Sequence, residues 1–381
     1  MPGFLADAEL SVNAIEVARL RAAERGYIDL TSSNPTLQGL LFPADVLRAA
    51  AEGYWDTRRY APDARGAPAA REAIARYYRH RRAAAIAPDD VFLTASTSEA
   101  YALLFALLTE PGDNVIGPDI SYPLFEHLAA VHHVELHSYA LDPARSWAID
   151  EASLLAAADE RTRAVLLISP HNPTGMLLQR ATQALDELAL PLICDEVFAE
   201  FTHVAPHAPV ISQLHPALSC FTLNGISKLF ALPDLKLGWV AMNAIASQQF
   251  ARRFELLNDA FLSANSLTQH MLPTLFEHGF AFVKDMRERV QHNLALATGL
   301  LAACPALDVQ APDGGYYLFP RVRTWDDDEA LVLHLLEHGV LVHPGFFYGL
   351  DSSESGARIM ISCLTEELAL REGLRRLCDA L

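Results

Sequence analysis

From residue 91 to residue 243, short apolar or β-branched runs alternate with longer stretches of helical pattern, and this alternation constrains the fold more than any other feature. Such a pattern reads as βαβ units, whose parallel strands are buried on both faces. Strands are expected over 91–94, 114–117, 134–139, 164–169, 190–195, 219–223 and 237–242, with helices over 97–108, 123–130, 151–158 and 180–188. Residues 263–303 read as helical with few breakers beyond Pro273. Gly314 and Gly315, a strand-like 316–320 and a closing helix over 366–377 then suggest a separate α+β unit. Residues 1–43 have no sheet of their own and are expected to pack on that unit. The expected architecture is α/β: a large domain, 44–285, on a mostly parallel seven-stranded sheet between helices, and a small α+β domain from 1–43 and 286–381. In open sheets of this kind, ligands bind beyond the carboxyl ends of the strands.

Charge narrows the partners. With 29 Lys+Arg against 47 Asp+Glu the formal net charge is −18, so polyanions are repelled and nucleic acid is not an expected partner. Arg79, Arg81 and Arg82 cluster around His80, and on a helix over 69–85 they are expected to form a solvated face. Cys194, Cys220, Cys304, Cys363 and Cys378 are widely spaced with no C-x-x-C, which suits reduced thiols in cytoplasm, and three of them lie in core-like apolar runs. The stretch from Met1 to Glu9 lacks the basic start and apolar core of a signal peptide, and no apolar run reaches bilayer length, so no membrane partner is expected. His203 and His207 straddle Ala205-Pro206, while His334 and His338 share a helix face; neither pair carries the H-E-x-x-H glutamate, and no metal is expected.

Chemistry-bearing residues stand at successive strand ends. After 91–94 comes Ala95-Ser96-Thr97-Ser98, a hydroxyl-rich turn opening a helix, where free N–H groups and the positive helix end suit phosphate as well as an ordinary N-cap. Ser121-Tyr122-Pro123 follows the next strand. Pro170-His171-Asn172-Pro173-Thr174-Gly175 follows 164–169, and Asp195-Glu196-Val197-Phe198 follows 190–194. Lys228, in Asn224-Gly225-Ile226-Ser227-Lys228-Leu229-Phe230, sets an amine among apolar neighbours just after 220–223, the setting of a lysine nucleophile.

In this order, these segments resemble those of the class I/II, fold-type I aminotransferases that depend on pyridoxal 5′-phosphate (PLP). The resemblance runs from Ser33-Asn34-Pro35-Thr36 to the last helix. It implies that the large domain binds PLP, that Lys228 forms the Schiff base and shuttles the substrate proton, and that Asp195 pairs the pyridine nitrogen. It further implies that Asn172 bonds the ring hydroxyl, Tyr122 stacks on the ring, and Ser96, Thr97 and Ser98 cradle the phosphate with Lys236. Tyr60, ahead of Gly66, matches the tyrosine that reaches a neighbouring subunit's phosphate, which implies a homodimer with shared sites. The expected activity is exchange of an amino group between an L-amino acid and a 2-oxo acid.

The departures from the family pattern are specific. Phe198 stands where a tyrosine is common, Gly225 where a serine is, and Lys236 where an arginine is, so the phosphate meets a point charge without a planar fork. Two residues before Ser362, where the substrate-carboxylate arginine is usual, stands Met360; Arg358 lies two positions earlier and would share its strand face. Arg358 and Asn34 are therefore the substrate-binding candidates. The same cofactor chemistry serves a lyase, cyclase, decarboxylase or racemase, which is the alternative reading. A non-catalytic module of the same fold, such as a regulator's effector domain, is disfavoured by the acidic charge and by the lack of a DNA-binding segment ahead of the fold.

Overall fold

The computed structural model describes residues 11–57, 60–262, 264–352 and 356–381. The stretch from Met1 to Glu9 and Ser263, at the start of the expected helical region, lie outside them. Seven strands form the central sheet: β1 (Val91–Thr94), β2 (Asn114–Pro118), β3 (Glu135–Tyr139), β4 (Thr162–Ile168), β5 (Leu192–Asp195), β6 (Cys220–Gly225) and β7 (Gly238–Met242). Their spatial order is β1-β7-β6-β5-β4-β2-β3. All neighbours pair in parallel except β7, which runs antiparallel to both β1 and β6.

The near-continuous apolar runs follow from burial on both faces. Because side chains alternate along a strand, Phe92, Val115, Leu166, Ile193, Phe221 and Val240 belong to one core cluster, with Phe105 and Phe254 from the helices that cover it. On the opposite face, Ile116, Val165, Leu167, Leu192, Cys194 and Cys220 join the core that continues into the C-terminal part of the chain. Helix α1 (Pro68–Arg81) packs against β1, and α2 (Thr97–Leu108) packs against β7 and the helix Ala244–Ala260, which is not among the elements expected above.

Several ends differ from expectation for local reasons. The strand expected from 190 begins at Leu192, because Pro191 has no N–H to pair, although its carbonyl accepts from Val165. The helical stretch 263–303 divides into Ser266–His278 and Phe280–Ala302 at Gly279, where a Cβ would lie 2.5 Å from the Leu275 carbonyl. Beyond these helices, β8 (Tyr317–Leu318), β9 (His343–Pro344) and β10 (Ile359–Ser362) form an antiparallel sheet in the order β8-β10-β9. The N-terminal segment joins this part of the molecule: Ile28–Asp29 pairs in parallel with Val340–Leu341.

Two readings of the sequence need correction. Four cysteines are buried rather than three, with Cys378 half-buried, and all five are free thiols. Arg82 is no part of a solvated face: it caps α1, and its side chain is almost wholly enclosed. Among the described residues, no group of three or more His, Cys, Asp or Glu is placed to hold a metal, and no helix is long and apolar enough to cross a membrane. His203 contacts the Gly315 carbonyl at 2.7 Å, and His334 contacts that of Ala380 at 3.0 Å.

Candidate active site

The carboxyl ends of β1, β2, β4, β5 and β6 converge on one cavity of about 390 Å³. Since β7 is antiparallel, its first residue lies at the same edge, which brings Lys236 and Leu237 to the cavity as well. Ser96, Thr97, Ser98, Tyr122, Asn172, Asp195, Lys228 and Lys236 all line it.

Each is delivered by a local structural reason. Ser96 is the N-cap of α2, its hydroxyl accepting from Glu99 N at 3.1 Å, so Thr97 and Ser98 open the helix with their backbone N–H groups facing outward from its positive end. Gly238 makes this approach possible: a Cβ there would lie 2.8 Å from the Ser96 carbonyl carbon and 2.9 Å from Thr97 N. Lys228 sits in the one-turn helix Ile226–Leu229, whose Ile226 and Leu229 are buried and anchor it. Its Nζ lies 5.9 Å from the centre of the Phe198 ring.

Asp195 ends β5 in a buried position. Tyr101 donates its hydroxyl to Oδ2 at 2.9 Å, and Val197 donates its backbone N–H to Oδ1 at 3.0 Å. Burial nonetheless pushes the carboxyl up to about 6, against the two donors and the Lys228 charge that favour ionisation. Such a carboxylate, held in place yet poorly solvated, is a strong partner for a cation brought into the cavity. Asn172 Oδ1 is buried with no hydrogen-bond partner among the described residues, an unspent acceptor of the kind ligand sites hold. His171 beside it is fully enclosed, its Nδ1 2.8 Å from Thr174 Oγ1, and burial pushes it down to about 3, so it is neutral.

Next to Asp195, Glu196 is fully buried and accepts from Arg82 Nη2 at 2.7 Å and from Ile211 N at 2.9 Å. Arg81 reaches Glu200 at 2.8 Å. The arginines at the end of α1 thus tie that helix to the loop following β5.

The remaining candidates do not meet the cavity. Arg358 lies with its guanidinium 4.6 Å from the Trp147 ring centre and donates to the Phe319 carbonyl at 3.2 Å. The Phe319 ring centre lies 5.9 Å away, Nε is buried with no hydrogen-bond partner among the described residues, and burial pushes the pKa down to about 10. Asn34 spends its side-chain oxygen on Thr36, accepting from N at 3.0 Å and Oγ1 at 2.7 Å, as the cap of a short helical turn. Tyr60 is 75% exposed and lies off its own chain's cavity.

Tyr101, Ser33, Ser227 and Tyr317 line the cavity without having been singled out. Ser227 adjoins Lys228 and could have been read with it. Tyr101 lies four residues after Thr97, one turn along the same helix, a spacing that could have pointed to it. Nothing in the sequence marks Ser33 or Tyr317, whose approach depends on tertiary packing.

Relatives with assigned names are similar over most of the chain. The glutamate-pyruvate aminotransferase AlaA of Haemophilus influenzae is 27% identical over 350 residues, covering 86% of this chain and 85% of that protein. A tyrosine aminotransferase of Mus musculus is 28% identical, covering 78% and 67% respectively. The solved structure of an alanine aminotransferase from Pyrococcus furiosus superposes with a TM-score of 0.87 at 24% identity, over 97% of each chain, and supports the same fold. The family model for aminotransferase class I and II matches residues 25–381, nearly the whole chain, and the protein therefore belongs to that family of amino-group-transferring enzymes.

Proposed function

We propose that the protein exchanges the amino group of an L-amino acid with a 2-oxo acid, using PLP held in the cavity beyond the strand ends. The observation that carries this reading is the meeting of Lys228, Asp195 and the N-terminus of α2 in one cavity. The residues present fit the cofactor: an unspent buried oxygen on Asn172, a desolvated carboxylate at Asp195, and a glycine at 238 that clears the approach to Ser96 and Thr97.

Lys228 would hold the aldehyde, Asp195 the pyridine nitrogen, Asn172 the ring hydroxyl, and Tyr122 one face of the ring. Thr97 and Ser98, with Ser96 and Lys236, would take the phosphate at the positive end of α2. When bound, PLP supplies an electron sink for the pair left behind when a substrate's Cα loses its proton. Lys228 Nζ is the base placed to take that proton. Asp195, ionised at neutral pH with its folded value about 6, favours a positive ring nitrogen opposite it, while the Tyr101 and Val197 donors hold its oxygens in place. Phe198 and Tyr317, both buried, give the cavity around the half-buried lysine an aromatic wall.

We further infer a homodimer with shared sites, supported by the exposed Trp55, Tyr60, Phe261 and Leu262, each at least 60% accessible in the single chain. Five unpaired thiols support a cytoplasmic location. We propose the division into 44–285 and 1–43 with 286–381, the helix Phe280–Ala302 carrying the chain from one to the other.

A donor panel tests the activity. With the cofactor loaded and no acceptor, an aminotransferase releases one oxo acid per site and stops until a 2-oxo acid is added. Continued release without acceptor would identify a lyase and refute the proposal.

A further inference from the structure

Building on that reading, we propose that Ser33 and Tyr317 hold the carboxylate of the amino-acid substrate, a neutral clamp of two hydroxyls in place of a guanidinium. Among the described residues, no arginine lines the cavity. Arg358 is stacked on Trp147 and bonded to the Phe319 carbonyl, and Lys236 stands where β7 abuts the opening of α2. The substrate's carboxylate must sit near Lys228, because its Cα does, and the N-terminal segment and the small sheet contribute the hydroxyls of Ser33 and Tyr317 to the same cavity.

Sheet register sets this up. Tyr317 on β8 lies directly opposite Ser362 on β10, so the two side chains share a face, and Met360, two residues before Ser362, puts a thioether on that face. Ser362 binds the N-terminal segment twice, its N–H donating to the Leu30 carbonyl at 2.7 Å and its hydroxyl to the Ser32 carbonyl at 2.7 Å. Ser33, the next residue, is thereby carried to the cavity, whose lining it shares with Tyr317. Tyr317 is 5% exposed, and its ring lies edge-on to Phe198 with centres 6.0 Å apart, so the clamp has an apolar neighbour and little water to compete with a ligand. The Lys228 charge acts on the phenol, which places the two side chains in one electrostatic neighbourhood, while burial holds the phenol well above its ordinary range and keeps it a donor. One hydroxyl proton from each residue gives a carboxylate two charge-assisted hydrogen bonds.

The test is calorimetric titration of the cofactor-loaded protein with propionate and with propionamide, the same shape without the charge. Tyr317→Phe keeps the ring and is expected to weaken propionate about tenfold while moving propionamide less than about threefold. Ser33→Ala is expected to act in the same direction, with cofactor affinity unchanged in both. Propionate binding unchanged by Tyr317→Phe, absent from the parent protein, or lost in Arg358→Met would overturn the clamp. Amino transfer is assayed separately. Its absence from a protein that still binds propionate through Tyr317 refutes the proposed function and leaves the clamp standing, whereas intact transfer with an indifferent Tyr317→Phe refutes the clamp alone.

Discussion

Replacing Asp195 by Asn should make the cofactor-free protein more stable at neutral pH while abolishing amino transfer. Burial raises the Asp195 carboxyl from 3.8 to about 6, so between those values the unfolded chain has lost a proton that the folded one retains. Stability therefore falls as pH rises through that window, and the loss is complete above the folded value. A difference of about two pKa units corresponds to roughly 3 kcal/mol at pH 7, of which about half is already felt at pH 5. Asn keeps an oxygen for Val197 N–H and presents an amide to the Tyr101 oxygen, so the neutral replacement removes the charge without stranding its partners. Urea unfolding of both cofactor-free proteins, at one protein concentration, should show the Asn variant ahead by about 3 kcal/mol at pH 7 and by about 1.5 kcal/mol at pH 5. With the cofactor bound, the ranking should invert, since only the parent has a carboxylate for the ring nitrogen. A margin that does not grow between pH 5 and pH 7, or a variant less stable than the parent at pH 7, would refute the claim that Asp195 is held at an energetic cost for function.

Tyr101→Phe removes a 2.9 Å hydrogen bond to that carboxylate and should destabilise the cofactor-free protein by about 1.5–3 kcal/mol at pH 7.5, measured by urea unfolding, and by less below pH 5 where Asp195 holds its proton. Arg82→Met leaves Glu196 buried without its partner and should cost about 3–5 kcal/mol, while the pair Arg82→Met with Glu196→Gln should recover most of that; thermal melts of the two variants decide it. Gly238→Ala drives a methyl into the Ser96–Thr97 backbone and should weaken PLP binding at least about tenfold in a fluorescence titration, with the sheet intact by circular dichroism.

The parts of the site that could be read from sequence are those a parallel sheet places by rule. Thr97, Asn172 and Lys228 each follow a strand whose apolar run announces it, Asp195 ends one, and strands that share a direction deliver the residues at their carboxyl ends to one edge. Lys236 reaches the same edge only because β7 runs the other way, which periodicity does not reveal. Arg82 looked like surface because a charged run at a helix end usually is; it turns inward where α1 stops, and the buried Glu196 that draws it in is far away in the chain.

Arg358 shows the limit from the other side. Sharing a strand face with Met360 brings two side chains to the same side of a sheet, yet positions two apart are separated by about 6–7 Å along the strand, enough to trade a cavity for a packed aromatic wall. Trp147 and Phe319 supply that wall, one from the large sheet's flank and one from beside β8, and no local pattern links them to Arg358. Ser33 and Tyr317, which do reach the cavity, come from near opposite ends of the chain and share its lining because β10 pairs with β8 and also binds the segment from Leu30 to Ser32. On the proposed assignments, recognition of the cofactor and recognition of the substrate rest on different kinds of order. The first follows from strand direction within one continuous sheet, and the second from long-range pairing between chain ends, so substitutions in the segment from Leu30 to Ser33 should alter donor preference while leaving cofactor affinity unchanged.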